Sequence, residues 1–169
     1  NPGAYVVSVE APHPSTLGRG REWFSVVGIT EGNRPARIAE AMPLFLATVA
    51  HWQGISGVGA SGTALVGFSQ GAIMSLESTQ VVAEAPVAAR VVALAGRFAQ
   101  PTRKAAAGVR FHLIHGEQDG VVPTRWAIDA ARELQALGGT VTLDLLPGLG
   151  HGIDARVLQL VIGYVRDPA

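Results

Sequence analysis

Five short runs of β-branched and apolar residues punctuate the chain: Tyr5–Val9, Thr63–Phe68, Arg90–Leu94, Val109–His115 and Thr140–Leu146. Most are continuous apolar stretches, the pattern of strands covered on both faces. Between them the apolar positions shift to helical spacing. Asn33 is placed to cap a helix running to about Gln53, with Ile38, Met42, Phe45, Leu46 and Val49 as its inner stripe and Pro43 predicted to bend it. Further helices are predicted from Gln70 to about Ala83, from Thr124 to Leu137 with Gly138 as its stop, and from Ile153 to Val165. The last carries Ile153, Val157, Leu160, Val161 and Tyr164 on one side. Strands alternating with helices predict an α/β architecture, a mostly parallel sheet flanked by helices with right-handed crossovers. No repeat, low-complexity tract or linker divides the sequence, so residues 1–169 read as one domain.

A length of 169 residues, 48% of them hydrophobic and 15% charged, fits a domain with a sizeable core and argues against disorder. The net charge is zero and no basic block occurs, so neither nucleic acid nor an anionic membrane surface is an expected partner. There is no cysteine, which excludes disulfides, a thiolate nucleophile and thiolate metal sites. No apolar run approaches the roughly 18 residues of a membrane span, and no signal peptide is visible; a cytoplasmic location is the expectation.

The chemistry concentrates at Gly67-Phe68-Ser69-Gln70-Gly71, between a predicted strand and a predicted helix. That is the setting of a nucleophile elbow: the serine occupies a sharp turn, and small residues two positions away let strand and helix approach. The helix N-terminus beneath the hydroxyl favours developing negative charge. Two later strands each end in a matching group. Val109–His115 runs into Gly116-Glu117-Gln118-Asp119-Gly120, where Asp119, further into the loop than Glu117, is the better acid. Thr140–Leu146 runs into Pro147-Gly148-Leu149-Gly150-His151-Gly152, a glycine-flanked histidine suited to a general base. His112, His115, His13 and His51 read as structural or surface residues. Ser69, Asp119 and His151 follow the chain order Ser…Asp…His, which differs from the chymotrypsin and subtilisin orders.

Two other signals are weaker. Gly57-Val58-Gly59-Ala60-Ser61-Gly62 fits the dinucleotide fingerprint, but it precedes a strand, whereas the fingerprint follows a strand and opens a helix; a loop is the reading. No histidine pattern has metal-ligand spacing, and no metal is expected.

With the elbow, the segment Arg21–Arg34 around Trp23-Phe24-Ser25, Ser56–Ala60, Leu113–Gly116 and Leu149–Asp154 in view, the chain resembles serine esterases of the α/β-hydrolase superfamily, in the branch of small carboxylesterases, phospholipases and acyl-protein thioesterases. The resemblance covers nearly the whole chain. It implies the α/β-hydrolase fold and hydrolysis of a small acyl-ester substrate, short- to medium-chain, through an acyl-enzyme on Ser69 and without a cofactor. A thioesterase or lysophospholipase with the same triad, and a non-catalytic hydrolase-like chain, are the alternatives. It further implies that the Gln70 N–H is one oxyanion donor and that Trp23 and Phe24 border the acyl pocket, against the plainer reading that the two rings are core. The resemblance places a further strand between the counterparts of Tyr5–Val9 and Thr63–Phe68, and a second oxyanion donor on the loop after an earlier strand. Neither has a counterpart before Tyr5, so the expectation is a natural protein with roughly 40–60 more N-terminal residues, a strand–helix unit plus an edge strand.

Overall fold

The computed structural model describes residues 3–81 and 85–166. Four parallel strands form the main sheet in the order β3-β4-β5-β6: β3 (Ala64–Phe68), β4 (Arg90–Leu94), β5 (Arg110–Gly116) and β6 (Thr140–Leu146). The pairing runs in one continuous register, with Gly67 opposite Ala93, Ala93 opposite Leu113 and Leu113 opposite Leu143. Every strand therefore ends at the same edge of the sheet, and the loops leaving that edge stand side by side.

Burial follows position in the sheet. The central strand β4 is buried at every residue and β5 at all but its first, as continuous apolar runs require. The outer strands depart from the prediction: β3 and β6 are only partly covered, and Val66 and Phe68 on β3 are exposed. Successive side chains of β4 alternate between two cores. Val91 and Ala93 pack with Phe111 and Leu113 against helices α2 (Gln70–Val81) and α3 (Arg125–Ala136). Val92 and Leu94 meet α4 (Ala155–Arg166) through Val157, Leu160, Val161 and Tyr164. Helix α1 (Arg34–Ser56) lies against α2 and, with Trp23, Phe24, Ile73 and Met74, builds a third cluster.

Helix ends match the sequence with informative exceptions. Asn33 precedes α1 but does not cap it: its Oδ1 accepts the Thr30 N–H at 2.8 Å and its Nδ2 donates to the Gly28 carbonyl, bracing the preceding turn. The helix continues through Pro43 to Ser56 and stops at Gly57 in the left-handed conformation. The predicted end of α2 at Ala83 lies outside the described residues. Ile153 stands before α4 and is exposed, because Asp154 starts that helix by accepting the Arg156 and Val157 N–H groups. The Gly57–Gly62 segment is a loop with a 3₁₀ turn over Ala60–Gly62, ahead of β3.

Two departures concern the N-terminal part. Tyr5–Val9 forms no ladder and is largely exposed, with Tyr5 resting on Trp52 of α1 at 6.4 Å between ring centroids. A strand needs a neighbour for its backbone groups, and no strand among the described residues lies beside it. In its place a two-residue antiparallel pair, β1 (His13–Pro14) with β2 (Arg21–Glu22), leads directly into Trp23 and Phe24. Pairs so short and polar leave no periodic signal.

Helix α2 carries an unusual load of buried polar groups, and each has a partner. Glu77 accepts the Ala99 N–H and the Arg103 guanidinium, both at 2.8 Å, and Gln80 accepts the Arg103 N–H while donating to the Lys104 carbonyl. The loop after β4 is thereby fastened over the helix. The difference between centre and edge is measurable in urea. Phe111→Ala, at a fully buried central position, is expected to lower unfolding free energy by about 3–5 kcal/mol, whereas the exposed edge residue Val66→Ala is expected to cost under about 1 kcal/mol.

Candidate active site

The elbow forms as the sequence predicts, with the steric demand on one side only. A Cβ at Gly67 would lie 2.3 Å from the Gly71 carbonyl carbon and 2.5 Å from the Ala72 nitrogen, so only glycine fits there. At Gly71 a Cβ would meet nothing within 4 Å, so the close approach is set by Gly67 alone. Between strand and helix Ser69 adopts φ 51°, a left-handed conformation that a non-glycine residue enters at a cost of roughly 1–3 kcal/mol. Its N–H is held by the Leu94 carbonyl at 2.9 Å, and its own carbonyl accepts the Ile73 N–H at 3.0 Å. Ser69 is thus bound to β4 on one side and to α2 on the other, with its hydroxyl free to turn toward the loops.

Asp119 and His151 arrive from loops that touch. A Cβ at Gly116 would fall 2.3 Å from the Leu149 carbonyl oxygen, and the Gln118 N–H donates to that same oxygen at 2.9 Å. The glycine ending β5 therefore lets the acid loop and the histidine loop share a wall. His151 Nε2 lies 3.0 Å from Ser69 Oγ, and His151 Nδ1 lies 2.8 Å from Asp119 Oδ2. The three predicted residues, which stand 82 positions apart from Ser69 to His151, form one hydrogen-bonded chain. With Nδ1 protonated and donating to the carboxylate, Nε2 presents its lone pair to the serine hydroxyl.

The Asp119 carboxylate has no exposed side-chain surface. Burial alone would raise its pKa, but the hydrogen bond from His151 and the N–H groups of Val122 and Val121, both 2.8 Å from Oδ1, outweigh it and hold the group below its ordinary value of 3.8. A histidine set aside in the sequence as structural also belongs to this cluster. His115 is fully buried, its Nε2 2.7 Å from the Val122 carbonyl oxygen and 3.2 Å from Asp119 Oδ2. Its place one residue before Gly116 was the available signal, since residues four apart across that turn bring both groups to the same side. His112 is structural as expected: it stacks on Tyr164 at 3.8 Å and hydrogen-bonds Thr142. His13 and His51 are exposed.

Gln70 opens α2, where the first N–H groups have no intrahelical acceptor. Trp23 and Phe24 are both buried in the cluster with Met42 and Phe45; Trp23 meets Phe45 edge-on at 5.1 Å. Phe24 also borders an open cavity of about 600 Å³ with Ser25, Arg37 and Glu40, which no member of the triad lines. The Phe68 ring lies 5.0 Å from the His151 imidazole. Among the described residues no three His, Asp or Glu side chains are grouped as metal ligands, and no helix is long and apolar enough to cross a membrane.

A parallel sheet ending in an elbow serine, a buried acid and a histidine defines an α/β-hydrolase. The sequence pattern of the phospholipase/carboxylesterase family matches residues 1–167, and the chain belongs to that family of ester hydrolases. It is 50% identical over 165 residues to esterase YpfH of Escherichia coli strain K12, spanning 98% of this chain and 70% of that protein. The crystal structure of esterase PE8 superimposes with a TM-score of 0.82 at 30% identity, over 93% of this chain and 75% of that one. Acyl-protein thioesterase 2 of Zea mays shares the fold, with a TM-score of 0.70 at 21% identity over 93% and 78% of the two chains.

The lowered pKa of Asp119 fixes the sign of a pH effect. A depressed carboxylate stabilises the fold above its unfolded value, and that contribution is lost as pH falls through the lower folded value. Asp119→Asn is expected to be less stable than the wild type at pH 7 by roughly 1.5–3 kcal/mol, the worth of hydrogen bonds to a charged group. Urea titrations repeated below pH 3.8 should show the gap closing; a gap that widens on acidification contradicts the assignment. Gly116→Ala is expected to separate the two loops and to cost activity well beyond its loss of stability, as read by ester turnover per folded molecule.

Proposed function

We propose that this protein is a serine carboxylesterase that hydrolyses short- to medium-chain acyl esters through an acyl-enzyme on Ser69. The observation that carries the reading is the unbroken hydrogen-bond chain from Ser69 Oγ through His151 to the buried Asp119, presented by a serine held at φ 51°. An ordinary surface serine needs neither that backbone conformation nor such partners.

The chemistry follows from the geometry. His151 Nε2 accepts the Ser69 proton as Oγ attacks the ester carbonyl carbon, and Asp119 holds the imidazole in the required tautomer and stabilises its charged form. The carbonyl oxygen gains negative charge beside the Gln70 N–H, at the positive end of α2. Collapse of the tetrahedral intermediate breaks the ester C–O bond, and His151 returns the proton to the departing alcohol. A water molecule then attacks the acyl-enzyme by the same route, releasing the acid and restoring Ser69. The segment of Trp23 and Phe24 is the proposed border of the acyl subsite, supported by its attachment to Gln70, the residue after the nucleophile.

Turnover of p-nitrophenyl butyrate tests the reading. Ser69→Ala and His151→Ala are each expected to lower kcat by at least about 10³-fold with KM little changed. A fluorophosphonate probe is expected to label wild type and leave Ser69→Ala unlabelled. Ser69→Ala retaining most of the wild-type rate would refute the assignment.

A further inference from the structure

Nothing in the proposed reaction requires a glutamine at position 70. The oxyanion contact comes from a main-chain N–H, which every residue except proline supplies. Yet both polar atoms of the Gln70 side chain are engaged. Its Oε1 accepts the Trp23 N–H at 2.9 Å and its Nε2 donates to the Phe24 carbonyl at 2.9 Å. The orientation of the amide is fixed by its partners, since a main-chain N–H can only donate and a carbonyl can only accept. One primary amide thus ties the N–H of Trp23 and the C=O of Phe24 to the first residue of α2.

The location gives this pairing its meaning. Residues 23 and 24 follow β2 directly and belong to no ladder themselves. They carry two large buried rings, and the Trp23 ring rests on Phe45 of α1. Gln70 is covalently next to Ser69, so the backbone of the Trp23–Phe24 segment stands one glutamine side chain away from the residue after the nucleophile. If this segment borders the acyl subsite, as proposed above, an acyl chain leaving a carbonyl carbon bonded to Ser69 Oγ runs along it, on the side of the oxyanion donor.

Resting on the serine-esterase reading above, we infer that the Gln70 side chain is a positioning residue that sets acyl-chain selectivity: it pins the Trp23–Phe24 backbone as one wall of the acyl subsite. Its main-chain N–H serves every ester alike. Its side chain matters in proportion to the length of acyl chain that lies along the wall. Releasing the segment therefore penalises long chains more than short ones, through KM more than kcat.

The test is Gln70→Met, which keeps the length and volume of the side chain and removes both hydrogen bonds. Rates for a p-nitrophenyl ester series from acetate to octanoate are measured per active site, counted with the fluorophosphonate probe. The ratio of kcat/KM for octanoate to that for acetate is expected to fall at least about ten-fold, carried by KM for octanoate. A role confined to general stability lowers the count of active sites and leaves the ratio alone. A ratio within about two-fold of wild type overturns the inference. Should Gln70→Met not fold, Gln70→Glu serves: it keeps the acceptor for Trp23 but sets an oxygen against the Phe24 carbonyl, and the same fall in ratio is expected, with an unchanged ratio again overturning it. Failure of the serine-esterase reading looks different, because wild type itself then takes no probe and hydrolyses no ester of the series, and both readings fall together.

Discussion

The contact between the backbone of β3 at Gly67 and the first turn of α2 at Gly71 is the constraint from which the site follows. Strand and helix meet with no room for a Cβ, so the chain must reverse within a single residue. Ser69 is that residue, and its φ of 51° is the consequence. The strain is maintained because both ends of the turn are anchored, the Ser69 N–H on Leu94 of the central strand and the Ser69 carbonyl on Ile73 of the helix. The helix so placed lies between the sheet and α1, and this position explains its buried polar residues. Glu77 and Gln80 cannot reach water, so they take the backbone and Arg103 of the loop after β4 as partners.

The same economy of space assembles the rest of the site. Parallel strands in unbroken register bring β5 and β6 to one edge, and Gly116 lets the loops beyond them come into backbone contact. That contact aligns Asp119 with His151 from residues 32 positions apart. Asp119 is then surrounded: two main-chain N–H groups hold Oδ1, and His151 and His115 both face Oδ2. A carboxylate held this way has one geometry available, and the imidazole it orients inherits that precision.

Arg97 performs a comparable task for the loops on the other flank. It lies just past β4, buried, with both guanidinium ends on the Glu31 carboxylate at 2.9 and 2.7 Å and its plane 3.5 Å above the Trp126 ring. It therefore joins the turn before α1, the end of β4 and the start of α3. The bidentate bond to Arg97, against some desolvation, holds the Glu31 carboxyl below its usual range. Stacked and forked contacts together suit arginine and would not be reproduced by lysine.

The sequence by itself determined the four strands of the main sheet, the four helices to within a few residues, and the order Ser69, Asp119, His151. Each of these is written in short-range terms: β-branched runs, helical spacing, and a glycine-framed group just past a strand. It also set Gln70 next to Ser69, with no signal for what its side chain would hold. Only the tertiary structure decided matters that depend on which residues meet across long separations. Tyr5–Val9 has strand composition but no strand beside it among the described residues, and composition cannot supply a hydrogen-bonding neighbour. His115 looked like any core histidine until the turn after β5 folded it onto Asp119. The Gln70 amide found its partners 47 and 46 positions away, at Trp23 and Phe24. Periodicity records which face of an element is buried; it carries no record of which distant backbone a side-chain amide will hold.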